Sequence, residues 1–129
     1  MEPRPLDMLW FRALAGLLVG LILGSFTTML SYRLPRHLSI VAPPSSCPSC
    51  RTRLKPLDLV PVASWLLSGG KCRHCATPIG KRYVLIELAT AIAVTLAFIV
   101  LGFTLALAAA IAAIVATVTA ITIRLERGR

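Results

Sequence analysis

Acidic residues are scarce in this chain: five Asp and Glu stand among 129 residues, against fourteen Lys and Arg. Only two of the five are aspartates, Asp7 and Asp58. Charge of either sign is thin, at 15% of residues, while 57% are hydrophobic and the mean hydropathy is +0.80. So little charge on so apolar a chain excludes a soluble globular domain. No G-x-G-x-x-G follows a strand pattern, which excludes a soluble Rossmann-type cofactor site. No A-x-A-like site follows the first apolar run, and the residues before it are not net basic, so a cleaved signal peptide is not expected.

What is present is bunched. Residues 1–12 carry Glu2, Arg4, Asp7 and Arg12, two charges of each sign, with Pro3 and Pro5 discouraging regular structure; they read as a short neutral lead. Residues 13–30 run ALAGLLVGLILGSFTTML without a charge. Extended by Trp10 and Phe11, and at about 1.5 Å per residue, that run spans the roughly 30 Å hydrocarbon core as a first membrane helix. Gly16, Gly20 and Gly24, followed at the same spacing by Thr28, form one stripe where another helix could approach closely.

Residues 31–83 form the only polar stretch of any length. They hold nine of the fourteen basic residues (Arg33, Arg36, Arg51, Arg53, Lys55, Lys71, Arg73, Lys81, Arg82), one acid, Asp58, and all four cysteines. Residues 84–123 then carry a single charge, Glu87. One helix of that length would reach about 60 Å, so the run folds into two spans, 84–101 and 104–123, with Gly102 as the turn. Ala112, Ala116 and Ala120 make a small-residue stripe on the third helix.

The positive-inside bias makes the 31–83 loop cytoplasmic, the lead periplasmic, and the 124–129 tail, with Arg124, Arg127 and Arg129, cytoplasmic again. The net charge of +9 is then an orientation signal and an attraction to anionic membrane lipid, rather than a nucleic-acid footprint. The expected fold is an all-α membrane protein, three transmembrane helices with a cytoplasmic zinc-ribbon-like insertion.

That insertion rests on Cys47-Pro-Ser-Cys50 and Cys72-Arg-His-Cys75, two C-x-x-C pairs with twenty-one residues between them. Each tight turn brings two thiolates to one ion, and two turns complete the tetrahedral S₄ shell of structural Zn²⁺. Two disulfides would require the loop to face an oxidising compartment, and a redox dithiol would require a βαβ scaffold that is not visible. Arg51, Arg53, Lys71 and Arg73 would offset the charge of a Zn(Cys)₄ centre. With the shell filled, His74 is expected to be exposed, and His37 to be interfacial. Between the pairs, PLDLVPVASWLLSGG (56–70) offers Asp58 as the N-cap of a short helix and Gly69-Gly70 as its stop. Val60, Val62, Trp65, Leu66 and Leu67 make it too apolar for open solvent and it is too short to span, so it is expected to lie against the membrane interface.

Four blocks, GSFTTMLSYRLPR (24–36), CPSC (47–50), LDLVPVASWLLSGGKCRHC (57–75) and PIGKRYVLIELATA (78–91), resemble in order and spacing the amino-terminal region of bacterial type IV prepilin peptidases. Those bifunctional membrane enzymes cut the leader from prepilins and pseudopilins, then methylate the new amino terminus with S-adenosylmethionine. The resemblance implies a free-standing version of that domain in the bacterial inner membrane. Its partners would be the amino-terminal segment of a prepilin or pseudopilin and a separate peptidase subunit.

The family cleaves with two aspartates, one in a pattern like I-D-L-E-H after the third helix and one in G-x-G-D. Here the third helix ends AITIRLERGR, which puts Arg124 in the first aspartate's place, and no Gly-Asp pair occurs. A guanidinium can neither share a proton nor activate water as a carboxylate pair does, so no catalytic residue for proteolysis is expected. Val84 stands where the family commonly has proline. Methyl transfer is left open. Asp58 and Glu87 are the only acids near the loop face and are candidates to contact a substrate amine or the cofactor; for Glu87 the alternative is a first-turn residue favoured by the helix dipole.

Overall fold

A computed structural model describes residues 5–42 and 44–128. Glu2, Pro3, Arg4 and Arg129 lie outside the described residues. Four α-helices follow in order: α1, Pro5–Arg33; the short α2, Ala63–Leu67; α3, Lys81–Leu101; and α4, Leu105–Arg127. Three of them, α1, α3 and α4, are long and apolar enough to cross a membrane. Helix α1 starts at Pro5, eight residues before the uncharged run, so the described part of the lead is helical. Proline in a first turn lacks only an N–H that would have had no helical partner, and therefore starts this helix rather than preventing it. Helix α3 likewise starts at Lys81, before the apolar run, and α4 continues to Arg127.

The glycine stripe is the seam of the bundle. A Cβ at Gly16, Gly20 or Gly24 would lie 2.7, 2.7 or 2.8 Å from the Cα of Thr95, Ala91 or Glu87 respectively. The falling partner numbers make the pairing antiparallel, with α1 and α3 backbone against backbone along two turns of helix. Small residues promote this contact in lipid, where side-chain burial offers little and close backbone packing offers more. The polar residues beside the seam are satisfied locally. Thr27, Ser31 and Thr90 are buried, and each donates its hydroxyl to the carbonyl four residues earlier at 2.8 Å.

Gly102 makes the predicted turn, with φ 62° and its N–H on the Phe98 carbonyl at 3.0 Å. Thr104 caps α4 by accepting the Leu107 N–H at 3.3 Å. Phe103 packs between Phe11 and Phe98, ring centroids 5.8 and 5.7 Å apart. Arg12 joins the same corner, donating to the Ile99 carbonyl at 3.4 Å, so its charge meets the carbonyl end of α3. At the opposite end Glu126 of α4 pairs with Arg82 of α3 at 3.4 Å and with Arg36, in the 3₁₀ turn that follows α1, at 3.6 Å. Arg36 also lies 4.0 Å above the Tyr32 ring.

Helix α4 packs less closely. Its stripe of Ala112, Ala116 and Ala120 faces an open apolar groove of about 700 Å³ whose other wall is Leu23, Phe26 and Leu30 of α1.

Gly20→Leu is expected to force α1 from α3 and cost about 1–3 kcal/mol, the usual range for overpacking. Gly80→Ala, where an added Cβ meets nothing within 4 Å, should be neutral. Thermal unfolding in detergent, followed by helical circular dichroism, compares the two.

Candidate metal centre and its seat on the helices

The two cysteine pairs build the same turn twice. The Cys47 N–H donates to the Thr52 carbonyl at 3.1 Å and the Arg51 N–H to the Cys47 carbonyl at 2.8 Å. Twenty-five residues on, Cys72 donates to Thr77 at 2.9 Å and Ala76 to Cys72 at 3.0 Å. The residue after each second cysteine is left-handed, Arg51 at φ 55° and Ala76 at φ 59°. An isolated antiparallel bridge closes each turn, Ser46 with Arg53 and Lys71 with Pro78. The repeat in the sequence is therefore C-x-x-C-x-T, and the threonines, Thr52 and Thr77, belong to the cysteine turns in a way the cysteine spacing alone did not mark.

Facing each other, the turns bring all four Sγ atoms within 4.8 Å of one another. Cys47 to Cys75 is 3.8 Å and Cys50 to Cys72 is 3.9 Å. A tetrahedron with Zn–S bonds of about 2.3 Å has edges of about 3.8 Å, so the four cysteines fit a metal ion of that kind. A disulfide needs roughly 2.05 Å, and all four are free thiols. The Thr77 hydroxyl sits 3.1 Å from Cys75 Sγ. Its hydrogen bond, with help from the Thr77 backbone, lowers the Cys75 thiol to about 6, and Thr52 lowers Cys50 in the same sense. The thiolate is the ligand form, so both threonines prepare the site for a cation. His74 is exposed and contributes its backbone N–H, 3.5 Å from Cys72 Sγ, rather than its ring; His37 is exposed too.

The centre is seated on the helices through the segment between the turns. Asp58 is not the cap of α2. It lies in a 3₁₀ turn, Pro56–Leu59, where its carboxylate accepts the Lys55 N–H at 2.9 Å and pairs with Arg73 of the second cysteine turn at 3.3 Å. Helix α2 starts later, behind Val62, and ends as expected at Gly69 and Gly70, φ 66° and 72°. Trp65 underlies Gly70 and donates its indole N–H to the Ile79 carbonyl at 3.1 Å.

Glu87 is buried at 9% exposure. It lies six residues inside α3, past the first turn, because α3 begins at Lys81. One carboxyl oxygen accepts the Val62 N–H at 2.8 Å, and the other lies 3.3 Å from the Ser25 hydroxyl of α1. Asp58 thus sits among the cysteine turns and Glu87 between α1 and α3, each on donors from its own chain.

Fold and site together define a membrane-helix bundle carrying a four-cysteine module able to hold a metal ion. The family model described as the Bacterial Peptidase A24 N-terminal domain matches residues 18–101, and the chain belongs to that family. The match takes in most of the glycine seam, the whole cysteine module and all of α3. The prepilin leader peptidase/N-methyltransferase of Bacillus subtilis (strain 168) is 48% identical over 88 residues, covering 68% of this chain and 36% of that protein. The protein of the same name from Pseudomonas aeruginosa is 35% identical over 102 residues, 61% of this chain and 35% of the relative. The type 4 prepilin-like proteins leader peptide-processing enzyme of Escherichia coli O78:H11 is 36% identical over 99 residues, 63% and 37%. The chain therefore spans little more than a third of the length of these relatives. No solved structure matches it.

Purified protein is expected to carry one zinc ion per chain and to accept Co²⁺ with a thiolate-to-metal charge-transfer band. Cys47→Ser or Cys75→Ser should lose most of the metal, as measured by elemental analysis, while His74→Ala keeps it.

Proposed function

We propose that this chain holds the amino-terminal segment of type IV prepilins or pseudopilins at the bacterial inner membrane, in pilus biogenesis or type II secretion. The observation that carries the reading is the match of residues 18–101 to a domain whose relatives are named for prepilin leader processing and N-methylation. In this reading the cysteine module is cytoplasmic and α1 starts on the outer side. The gathering of Arg33, Arg36, Lys81, Arg82, Arg124 and Arg127 at the ends of the three long helices supports that orientation. Zinc would be structural, held by Cys47, Cys50, Cys72 and Cys75, and would lock the two turns to each other.

In this reading Asp7 and Asp58 do not act as a proteolytic pair. Asp7 opens α1, and Asp58 belongs to the cysteine module at the helix's other end. About 39 Å of helix separates Asp7 from Arg33, so the two aspartates share no proton and no water. Methyl transfer from S-adenosylmethionine to an amine needs a group to take the amine's proton. Asp58, Glu87 and Glu126 are the carboxylates at this end; Glu126 is held by Arg36 and Arg82, and Asp58 or Glu87 would exchange a donor from its own chain to do so.

A second reading, partner subunit of a separately encoded peptidase, has its own support in the α1/α4 groove. The groove is apolar and open, about 700 Å³, and is lined by the small side chains of Ala112, Ala116 and Ala120, which would let another helix approach closely.

The two readings separate in proteoliposomes. Protein reconstituted with a leader-cleaved pilin and methyl-labelled S-adenosylmethionine is expected to bind the pilin and label its amino terminus, without cutting an intact prepilin. Failure to bind pilin, with the full-length Bacillus subtilis relative succeeding beside it, overturns the first reading. Co-purification with a peptidase that is lost on Ala116→Leu supports the second.

A further inference from the structure

The segment between the cysteine turns carries an apolar surface that neither the metal centre nor the bundle uses. Leu57, Val60, Leu66 and Leu67 are exposed, by 68%, 42%, 62% and 80%, within the polar stretch of the chain. A soluble loop would not display four such side chains together.

The depth of this surface follows from Glu87. That residue is six positions from Lys81, about 9 Å along α3, and its other partner Ser25 is eight positions from Arg33, about 12 Å along α1. The Val62 N–H reaches the same carboxyl group at 2.8 Å. Val62 therefore lies roughly 9–12 Å below the basic ends of both helices, where Arg33, Arg36, Lys81 and Arg82 meet the headgroups. Interfacial helices bury their apolar face to about 5–10 Å, at the boundary of headgroups and acyl chains.

The backbone is arranged for that depth. Irregular chain survives in lipid only when its polar groups are met by protein. Pro56 and Pro61 bring no N–H. The N–H groups of Asp58, Ala63, Ser64 and Leu66 go to the carbonyls of Lys55, Pro61, Val60 and Val62 at 2.9, 2.6, 3.1 and 3.1 Å. Val62 precedes α2, and its N–H goes to Glu87. Asp58, the segment's single charge, is turned onto Lys55 and Arg73 and leaves its side chain 12% exposed.

We propose that residues 57–67 form a re-entrant wedge seated among the phospholipid acyl chains of the leaflet on the cysteine-module side, with Glu87 as the positioning residue that sets its depth. The wedge requires only that α1, α3 and α4 cross the membrane, not that the chain handle prepilins.

Trp10 and Trp65 are the chain's two tryptophans, so Trp10→Phe and Trp65→Phe with Leu67→Trp leave a single indole on the wedge. In proteoliposomes, lipids spin-labelled near the headgroup end of the acyl chain are expected to quench it about twofold more than lipids labelled at the chain terminus. Aqueous acrylamide should have little effect. Quenching by acrylamide alone, or by neither reagent, overturns the wedge. Photo-crosslinking from benzoylphenylalanine at position 67, in otherwise unaltered protein, reads the same contact without removing Trp65: a phospholipid adduct supports the proposal, and adducts to protein alone, or none, overturn it. Glu87→Ala should raise acrylamide quenching about twofold, whereas Glu87→Gln, which keeps an acceptor for Val62, should not. An unchanged profile in Glu87→Ala, with metal still bound, overturns the role given to Glu87.

Discussion

The backbone contact between α1 and α3 is the constraint on which the rest of the molecule depends. Because Gly24 has no side chain, the Glu87 Cα can come within 2.8 Å of where a Cβ at Gly24 would be. That approach brings the neighbouring Ser25 to the Glu87 carboxyl group and aims the group out of the seam toward Val62. Val62 immediately precedes α2, α2 carries Trp65, and Trp65 holds Ile79 and Gly70 at the threshold of the second cysteine turn. A chain of direct contacts thus runs from a glycine in the membrane to the metal module. Separating α1 from α3 by the width of one methyl group would be felt at the cysteines.

Val62 is where this chain of contacts stores strain. A β-branched residue at φ 61° and ψ −53° is a true outlier, costing roughly 1–3 kcal/mol. Leaving its N–H without a partner at membrane depth would cost a similar amount, roughly 1–3 kcal/mol. The strained conformation points the N–H at Glu87, so the one penalty is accepted in place of the other. Glycine at 62 would relieve the strain while keeping the N–H that Glu87 accepts. Pro61 fixes the approach, since its ring sets its own φ and leaves Val62 as the first residue able to donate.

Much of the fold was legible in the sequence, because the signals are local. Uninterrupted apolar runs gave three membrane helices, Gly102 gave the turn, and the four-residue glycine spacing gave the seam. The cysteine cluster was equally open, since C-x-x-C fixes its own geometry. What escaped was long-range. Nothing near Arg12 says that it meets the Ile99 carbonyl, and nothing near Glu87 says that a residue from the polar loop donates to it. Asp58 was misplaced because a carboxylate before an apolar run reads as a cap, while Pro61 and Val62 delay the helix. The threonines after the cysteines were visible as a repeat, C-x-x-C-x-T, but their use lies in the thiol beside them and not in their spacing.

The end of α4 carries one residue that ties the bundle and one that does not. In the resemblance to I-D-L-E-H, Glu126 occupies the place of the glutamate and Arg124 that of the aspartate. Two residues apart on a helix, they face nearly opposite ways. Glu126 turns inward and collects Arg36 and Arg82, joining α4 to α3 and to the 3₁₀ turn that follows α1, while Arg124 is exposed and its side chain joins none of those ties. Two guanidiniums brought together at one helix end repel, and Glu126 is the charge that permits their approach. Replacing it would open the bundle at that end, whereas Arg124 points to the exposed side of the helix. An arginine there is therefore compatible with the same fold as an aspartate would be, since the inward ties of this helix end are made by Glu126.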